Sequence, residues 1–422
     1  MTNNVRCRRF VPSLRRGIAS VAYGFVILIT MLAATLSASA QTLTVLYAFT
    51  GTPDGSYPIA PVIRDAAGNL YGSTFEGGTD GFGTVFKLSK GGNETLLLSF
   101  NDSPGGGFPS QSLIRDAAGN FYGVALEGGG GSGVIFELSP SRKEAVLYNF
   151  VGGKNNNPKD PQGGLLMDTA GNLYGTTISG GVSACNTQER PYCGTVFKLA
   201  KNGKLTILHS FNGKSDGAGP SGNLLMDSAG NLYGTAFTGG DLECTLGDRP
   251  GCGVVFKLDT AGKETVLHRF TGKADGGGPA GSLLMDGAGN LYGSASVGGE
   301  FGGQCGVLGE DLGCGTIFKI DTAGKFSVLH SFNNDGSEGL NPNGGLVSDP
   351  DSNLYGTTQV SGTDGIGGTI FKVSKTGKLT VLFNFDGGES GALPFSGVIR
   401  DSKGNLYGTT YAGKGTVYEL KP

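Results

Sequence analysis

The chain has 422 residues, of which 79 are glycine, none is tryptophan and only 16% are charged. Glycine at this level without a G-X-Y period argues against collagen, and a hydrophobic fraction of 38% argues against disorder. The formal net charge of −3 argues against a nucleic-acid partner. Apolar residues come in short runs between Gly, Asn, Asp and Pro clusters, which predicts an all-β protein.

Residues 1–40 have the composition of a signal peptide. They contain five arginines and no acidic residue, followed by an apolar run from Ile18 to Leu36 and the sequence Ala38-Ser39-Ala40. We predict export and cleavage before Gln41, so that residues 41–422 form the mature domain in the periplasm, in the medium or at the cell surface. The alternative is an uncleaved anchor, which would confine any membrane contact to this segment.

One phrase, D-x-x-G-N-L-Y-G-[ST], recurs through the rest of the chain at intervals of 51 to 63 residues. Asp is suited to bond the backbone of the turn, and Gly to take a positive φ. A proline stands seven residues before each Asp. The copies, including two looser ones with Phe121 for Leu and Ser352 for Gly, begin at Asp65, Asp116, Asp168, Asp227, Asp286, Asp349 and Asp401.

Turn signals divide each repeat into four strands. In chain order these are a short apolar strand such as GGLLMD, then NLYGTT, then GTVFKL, and finally the KLTVLHSF type. The glycine within the second strand, for example Gly175 or Gly234, suggests the close approach of a neighbouring sheet. Four short strands at this spacing predict a seven-bladed β-propeller with four-stranded antiparallel blades.

The two ends of the chain indicate how the ring closes. The seventh repeat ends after its third strand, GTVYELKP, whereas Thr42–Phe49 reads as a fourth strand without a repeat. Pairing of Thr42–Phe49 with Gly415–Leu420 would complete the seventh blade from three strands plus one and leave no open edge. A linear β-solenoid is the alternative, but it gives the displaced strand no role.

The sequence D-x-x-G-N-L-Y-G-T-T, followed by G-T-V-F-K-L and a V-L-x-x-F strand, resembles the GloVer tandem repeat of exported bacterial proteins. The resemblance covers nearly all of residues 42–422. It implies a propeller-like protein outside the cytoplasm, and it brings no catalytic residues because the function of the family is obscure. The phrase also resembles, more weakly, the D-x-x-G-x-L-W-x-G-T propeller repeats of bacterial sensor proteins.

Six cysteines follow residue 40, and they fall into three pairs. Each pair lies in the loop between the second and third strands of blade three, four or five. Spacings of eight or nine residues in an exported protein predict local disulfides, namely Cys185/Cys193, Cys244/Cys252 and Cys305/Cys314. Zinc is the alternative, but the usual C-x2-4-C spacing and a nearby histidine are both missing.

No other motif predicts chemistry, and we expect no catalytic residue, metal or cofactor. His209, His268 and His330 share one fourth-strand position that Tyr or Phe occupies in other repeats, which favours packing over acid–base catalysis. Turn formation explains an Asp before Gly in five connectors, and calcium, the alternative, lacks its usual ligand spacing. These residues are Asp54, Asp216, Asp275, Asp335 and Asp386.

Loop length varies most between the second and third strands, and it is greatest at 176–193, 235–252 and 294–314 in blades three to five. Alternating strand direction places these loops on the same side of the ring as the connectors between blades, here called the loop face. Residues just before the second cysteine of each loop are candidate ligand anchors. They are Glu189, Arg190, Tyr192, Asp248, Arg249, Glu310 and Asp311, and the alternative is that they belong to tolerated insertions.

These observations favour a monomeric, non-catalytic binding or interaction module for a glycan or protein ligand at or outside the cell envelope. The alternatives are a propeller enzyme of the lyase or lactonase type and a stand-alone sensor-like propeller. An enzyme would require unlike polar residues to converge at the mouth of the central channel. The inner strands, as judged from the sequence, offer mostly Leu, Val, Ile and Gly.

Overall fold

The computed structural model describes residues 41–101, 105–128, 130–152, 157–181, 193–307, 310–360 and 367–421, with only the backbone at 306, 307, 310 and 311. Within these ranges the regular structure consists of β-strands. No helix among them is long and apolar enough to cross a membrane. The predicted signal peptide, residues 1–40, lies outside the described residues.

The strands form seven antiparallel blades, and the order of the strands from the centre outward follows the order of each repeat. The first strands are Ile63–Arg64, Ile114–Arg115, Leu166–Met167, Leu225–Met226, Leu284–Met285, Val347–Ser348 and Ile399–Arg400. The second strands are Leu70–Thr74, Phe121–Glu127, Leu173–Ser179, Leu232–Thr238, Leu291–Ala295, Leu354–Thr358 and Leu406–Thr410. The third strands are Thr84–Leu88, Val134–Leu138, Thr195–Leu199, Val254–Leu258, Thr316–Ile320, Thr369–Val373 and Thr416–Lys421. The fourth strands are Glu94–Ser99, Glu144–Asn149, Leu205–Ser210, Glu264–Arg269, Phe326–Ser331, Leu379–Asn384 and, from the start of the domain, Thr42–Ala48. The predicted seven-bladed propeller is therefore confirmed.

Blades two to five contain short additional strands. In blades two to four, a segment ahead of the first strand pairs with the far end of the second strand: Gly107–Pro109, Lys159–Pro161 and Ala218–Pro220. Two hairpins stand in the loops of blades four and five, one of Thr245–Leu246 with Arg249–Pro250 and one of Gly306–Val307 with Glu310–Asp311. All of these elements lie on the loop face.

The Asp-containing turn joins the first strand to the second by the same hydrogen bonds in each blade. In blade three, Asp168 Oδ1 accepts the backbone N–H of Asn172 at 2.8 Å, and Oδ2 accepts from the Asn172 amide and the Tyr174 hydroxyl. Burial opposes ionisation of Asp168, but these hydrogen bonds outweigh burial and hold its pKa below the ordinary value. Gly171 takes a φ of 82°, as the turn requires.

The glycine in the second strand is required for a different reason from the predicted one. Gly175 is paired with Phe197 on the third strand of its own blade, and a Cβ on Gly175 would lie 2.7 Å from the Phe197 ring. The aromatic ring therefore fills the space above the glycine, and the three described atoms nearest to such a Cβ all belong to the same blade. The prediction of a close contact was right, but the prediction of its partner was wrong.

Aromatic rings join each blade to the next. The Phe after every fourth strand packs against an aromatic ring on the third strand of the following blade. Phe211 does so edge-on against Phe256, with ring centroids 5.2 Å apart. Both rings are fully buried. Such pairs contribute about 0.5–1.5 kcal/mol beyond the burial of their apolar area. The pair between blades seven and one is Phe49 on Phe86, at 5.0 Å.

The start of the domain takes the place of a fourth strand. Thr42–Ala48 pairs antiparallel with Thr416–Lys421, from Thr42 opposite Lys421 to Ala48 opposite Thr416. A register shift between Val45 and Tyr47 matches the shift found at the same place in the other blades. The N-terminal strand and the last repeat thus form one four-stranded blade.

Candidate functional site

The inner ends of the blades surround a cavity of about 710 Å³ that opens on the loop face. Most of its walls come from two repeat positions that vary among the blades, namely the residue five places after the start of the second strand and the residues around the proline. The side chains that line it are Ile59, Pro61, Phe75, Ser110, Gln111, Ser221, Asn223, Phe237, Ala280, Ser282, Ser296, Val297, Leu312, Asn341, Asn343, Phe395, Ser396 and Tyr411. Aromatic, amide and hydroxyl groups therefore meet in one place.

Aromatic rings form the side of the cavity contributed by blades seven and one. Tyr411 stacks on Tyr57 with ring centroids 4.7 Å apart and meets Phe395 edge-on at 5.0 Å. Phe75 packs against Phe108 at 5.3 Å. Since Phe75, Phe395 and Tyr411 are only half-buried, they present apolar ring surface to the cavity.

Amides form the side contributed by blade six. The Oε1 atom of Gln359 accepts hydrogen bonds from Asn341 Nδ2 at 3.0 Å and from Asn343 Nδ2 at 2.8 Å. These bonds fix the orientation of both amides. Each retains a second N–H and a carbonyl oxygen that are suited to bind a polar ligand group.

Asn223 spans the inner segments of three blades. Its Nδ2 atom donates to Ser112 Oγ in blade two at 3.2 Å, and its Oδ1 atom accepts the backbone N–H of Gly164 in blade three at 2.8 Å. Its own backbone N–H donates to Ser282 Oγ in blade five. The cavity therefore has a polar, cross-linked base.

The residue before each proline holds a left-handed backbone conformation at the rim. The φ values lie between 57° and 63° at Tyr57, Phe108, Asp160, Gly219, Gly278, Asn341 and Leu393, and five of these residues are not glycine. Such a conformation costs about 1–3 kcal/mol at each non-glycine residue, and it is concentrated at functional sites in proteins. Tyr57 and Phe108 pack against the lining rings of Tyr411 and Phe75. Asn341 lines the cavity itself.

The chemistry of the cavity is nearly free of ionisable groups. Among the described lining residues, Tyr411 alone is titratable, and none is Asp, Glu, His, Lys, Arg or Cys. Unlike polar residues do converge at the mouth, but they come from segments outside the inner strands, which the sequence predicted to offer mostly Leu, Val, Ile and Gly. Apart from the Tyr411 phenol they are amides and aliphatic hydroxyls, which are poor general acids and bases.

The predicted ligand anchors lie beside this cavity to differing extents. Arg249 lines a second pocket of about 380 Å³ that shares Ser221 and Phe237 with the cavity, and Asp248 is exposed in the same hairpin. Glu310–Asp311 forms a backbone strand directly before Leu312, which lines the cavity. Glu189, Arg190 and Tyr192 lie outside the described residues. Ligand binding by these anchors stays a prediction.

Two of the predicted disulfides are present, Cys244–Cys252 and Cys305–Cys314. In the third pair, Cys193 is buried and disulfide-bonded, while Cys185 lies outside the described residues. The disulfide loops are tied to the rim, because the carbonyls of Cys252 and Cys314 accept the N–H groups of the residues before the next prolines, Gly278 and Asn341. These hydrogen bonds join the loops to the connectors between blades, so the loops lie on the loop face, as predicted.

Three overlapping segments of the chain, 32–242, 161–308 and 251–422, match the model of the Gloeobacter/Verrucomicrobia repeat. The chain belongs to the Gloeobacter/Verrucomicrobia repeat family. The resemblance seen in the sequence is thereby confirmed. No curated protein matches this repeat protein.

Solved structures similar to the repeat protein show its fold. One is the extracellular domain of a protein assigned to the one component systems of B. thetaiotaomicron, with a TM-score of 0.54 and 9% identity over 90% of this chain. The repeat protein spans 40% of the length of that chain. A gluconolactonase from Xanthomonas campestris aligns over 90% of this chain and 89% of its own at 13% identity, and its TM-score of 0.41 supports no further argument.

Sequence reasoning missed the cavity because it concentrated on what the repeats share. The lining positions vary among the blades: the residue five places after the Leu that begins the second strand is Phe75, Phe237, Ser296 or Tyr411 in four of them. Aligning the seven repeats by column would have marked these positions as variable within an otherwise constant frame. In a ring, equivalent positions meet at the centre, so a variable column becomes a continuous surface.

Proposed function

We propose that this repeat protein is an exported, non-catalytic binding module that holds an uncharged, hydroxyl-rich ligand, a short glycan, in the cavity on the loop face. The observation that carries the proposal is the composition of the walls. Half-buried aromatic rings stand on one side and hydrogen-bonding amides on another, with no charged side chain among the described lining residues.

Each wall matches one feature of a sugar. The apolar C–H face of a pyranose ring suits the half-buried ring surfaces of Phe75, Phe395 and Tyr411, since burying apolar area is favourable. The hydroxyl groups need donors and acceptors with fixed directions, which Asn341 and Asn343 supply because Gln359 orients them. A cavity of about 710 Å³ is in the range of pockets that bind small molecules.

The composition also favours binding over turnover. Hydrolysis of a glycosidic bond uses two carboxylates on either side of that bond, and proton abstraction uses a base with a matched pKa. Amides and aliphatic hydroxyls supply neither. Among the described lining residues only the Tyr411 phenol is titratable, so the lyase and lactonase alternatives would require Tyr411 or a group from outside this lining.

Export agrees with the chemistry of the loops. Disulfides persist in oxidising compartments and are rare in the cytosol, and this chain closes at least two loops with them. The sequence of residues 1–40 independently supports export.

Binding to a panel of neutral glycans and peptidoglycan fragments tests the proposal. We expect a ligand whose affinity falls at least tenfold in the Tyr411→Ala and Asn343→Ala variants, since each removes one wall contact. Phe301→Ala is the matched control, because Phe301 is 43% exposed in a loop of the same face and does not line the cavity.

Three outcomes would contradict this function. The first is equal loss of affinity in the control variant. The second is retention of full affinity in both cavity variants with loss in Arg249→Ala alone, which would move the site to the hairpin of blade four. The third is consumption of the bound glycan, followed by NMR, which would show an enzyme.

A further inference from the structure

On the outer rim of the propeller, a ring on the fourth strand is bonded to a carboxylate seven or eight residues later. Tyr47 donates to Asp54 at 2.8 Å, His268 Nε2 lies 3.0 Å from Asp275 Oδ2, and His330 Nε2 lies 2.9 Å from Glu338 Oε2. Each carboxylate also accepts a backbone N–H at the start of the connector. These pairs lock the connector onto the blade that precedes it.

The corresponding pair after blade three is open. His209 Nε2 stands 3.6 Å from Asp216 Oδ2, beyond hydrogen-bonding distance, although Asp216 still accepts the backbone N–H of Asn212 at 3.0 Å. A third side chain lies close to this pair, that of Glu264 in blade four, whose Oε2 is 4.0 Å from His209 Nε2. The equivalent place beside His268 is filled by Phe326, whose ring stacks on the imidazole at 3.6 Å.

The open cluster leaves two buried polar atoms without a partner. His209 Nε2 and Glu264 Oε1 are shielded from solvent and lack a hydrogen bond among the described residues. The three side chains expose only 17%, 11% and 13% of their surface, for His209, Asp216 and Glu264 respectively. Buried polar groups are almost always satisfied, so atoms left unpaired indicate a missing partner.

We propose that His209, Asp216 and Glu264 bind one divalent transition-metal cation, of the Zn²⁺ class, at the joint between blades three and four. One donor atom from each residue lies within 4.8 Å of the other two. Bonds of about 2.0–2.2 Å to one ion place the donor atoms somewhat more than 3 Å from one another. The donors of His209 and Asp216, 3.6 Å apart, already have this spacing. The Glu264 oxygen, 4.0 Å from His209 Nε2, must move closer to the ion.

The donor set selects the class of ion. One imidazole nitrogen with carboxylate oxygens suits Zn²⁺ and its neighbours, whereas Ca²⁺ and Mg²⁺ prefer all-oxygen sites. Burial, the largest effect, raises the pKa of Glu264 to about 7, and the nearby Asp216 carboxylate acts in the same direction. His209 and Arg269 act in the opposite direction because they attract the ionised carboxylate. A divalent cation would neutralise the two carboxylates that otherwise repel each other there.

The ion would act as a clamp rather than as part of the ligand cavity. His209 belongs to the last strand of blade three, Asp216 to the connector and Glu264 to the last strand of blade four, so one ion would fasten two blades at their outer edge. Three protein ligands would leave a fourth position for water. The outer strands are the part of a propeller blade with neighbours on one side only, so a clamp there resists fraying.

The test is a titration of Zn²⁺, with Ca²⁺ in parallel, into untagged full-chain protein that has been stripped with a chelator, since a histidine tag would bind the metal itself. We expect one equivalent of Zn²⁺ to bind and to raise the melting temperature. His209→Phe and Glu264→Phe should weaken binding at least 100-fold and abolish the rise in melting temperature. Phe occurs in these two positions elsewhere in the chain, as Phe383 and Phe326, so both variants are expected to fold.

His268→Phe is the matched control and should bind Zn²⁺ as the wild type does. Unchanged affinity in both cluster variants, or loss of affinity in the control, would overturn the site. Failure of the wild type to bind Zn²⁺ would overturn the proposal, and a preference for Ca²⁺ would overturn the class of ion. If either Phe variant fails to unfold cooperatively, His209→Gln is measured in its place, because Gln keeps a polar group of similar reach.

Discussion

At the scale of single residues, a glycine and a proline make the joint between neighbouring blades. Gly253 directly precedes the third strand of blade four and has a φ of 95°, and a Cβ on it would lie 2.5 Å from Pro279 Cδ of blade five. Next to this contact, Gly278 donates its N–H to the carbonyl of Cys252 at 2.9 Å. The glycine is therefore needed for its backbone conformation and for the approach of the proline.

Replacement of Gly253 by Ala should destabilise the fold by about 2–4 kcal/mol, because it combines an unfavourable φ with a clash against backbone and ring atoms. Urea unfolding of the two proteins measures the difference. Gly287→Ala is the control: nothing lies within 4 Å of a Cβ at Gly287, and Ala66 occupies the same turn position in blade one. An unchanged free energy of unfolding in Gly253→Ala would show that the joint is not rigid. A change beyond about 0.5 kcal/mol in the control would show that the loss is not specific to the joint.

Some residue-scale features could be predicted from the sequence, and others could not. The Asp–Gly–Asn turn was predictable because all its partners lie within six residues of one another. The pairing of His268 with Asp275 was not, because sequence reasoning assigned the histidine to packing and the aspartate to a turn. Both roles are real, and the bond between them appears only once the connector folds back over the outer strand.

At the scale of elements, composition located the second, third and fourth strands well and the first strand poorly. The predicted inner strand GGLLMD shrinks to Leu166–Met167. A Cβ on Gly163 would clash with Thr176 Oγ1, so the Gly-Gly segment lies close against the second strand without being part of the inner strand. In blade four the equivalent segment, Ser221 to Asn223, lines the cavity, which is why a search for regular strands overlooked it.

The redox state of the loop elements is a direct test of their bracing. We expect protein isolated from the periplasm to contain three disulfides, so that intact mass rises by the mass of six hydrogens on reduction and no cysteine reacts with an alkylating agent beforehand. Cys252, Cys305 and Cys314 are buried, which protects the bonds from exchange. Labelling of several cysteines without reductant would remove the bracing argument and restore metal binding at these loops.

At the scale of the whole molecule, the joints are repeated around the ring, including the one where the chain meets itself. Tyr57 donates its N–H to the carbonyl of Lys414 at 2.8 Å, and Thr409 donates its hydroxyl to the carbonyl of Ala60. A Cβ on Gly415 would clash with Pro58, as at the other joints. Blades seven and one are therefore held at the inner side by residues other than the N-terminal strand.

The N-terminal strand should hold the outer side of the same joint. A chain that begins at Thr50 would lose the pairing of Thr42–Ala48 with Thr416–Lys421, the half-buried side chains of Leu43 and Leu46, and the buried ring of Phe49 on Phe86. Loss of a core Phe alone costs about 3–5 kcal/mol, and the exposed edge of Thr416–Lys421 would invite pairing with another chain.

We therefore expect the shortened protein to melt at a lower temperature and to self-associate, as measured by calorimetry and by light scattering after size-exclusion chromatography. A synthetic TLTVLYAF peptide should restore the melting temperature and the monomer, whereas a scrambled peptide should not. Only the native order packs Leu43 into the core between blades six and seven and Leu46 and Phe49 into the core between blades seven and one. A shortened protein that stays monomeric and melts like the full domain would show that the inner contacts of Tyr57 and Thr409 suffice to close the ring.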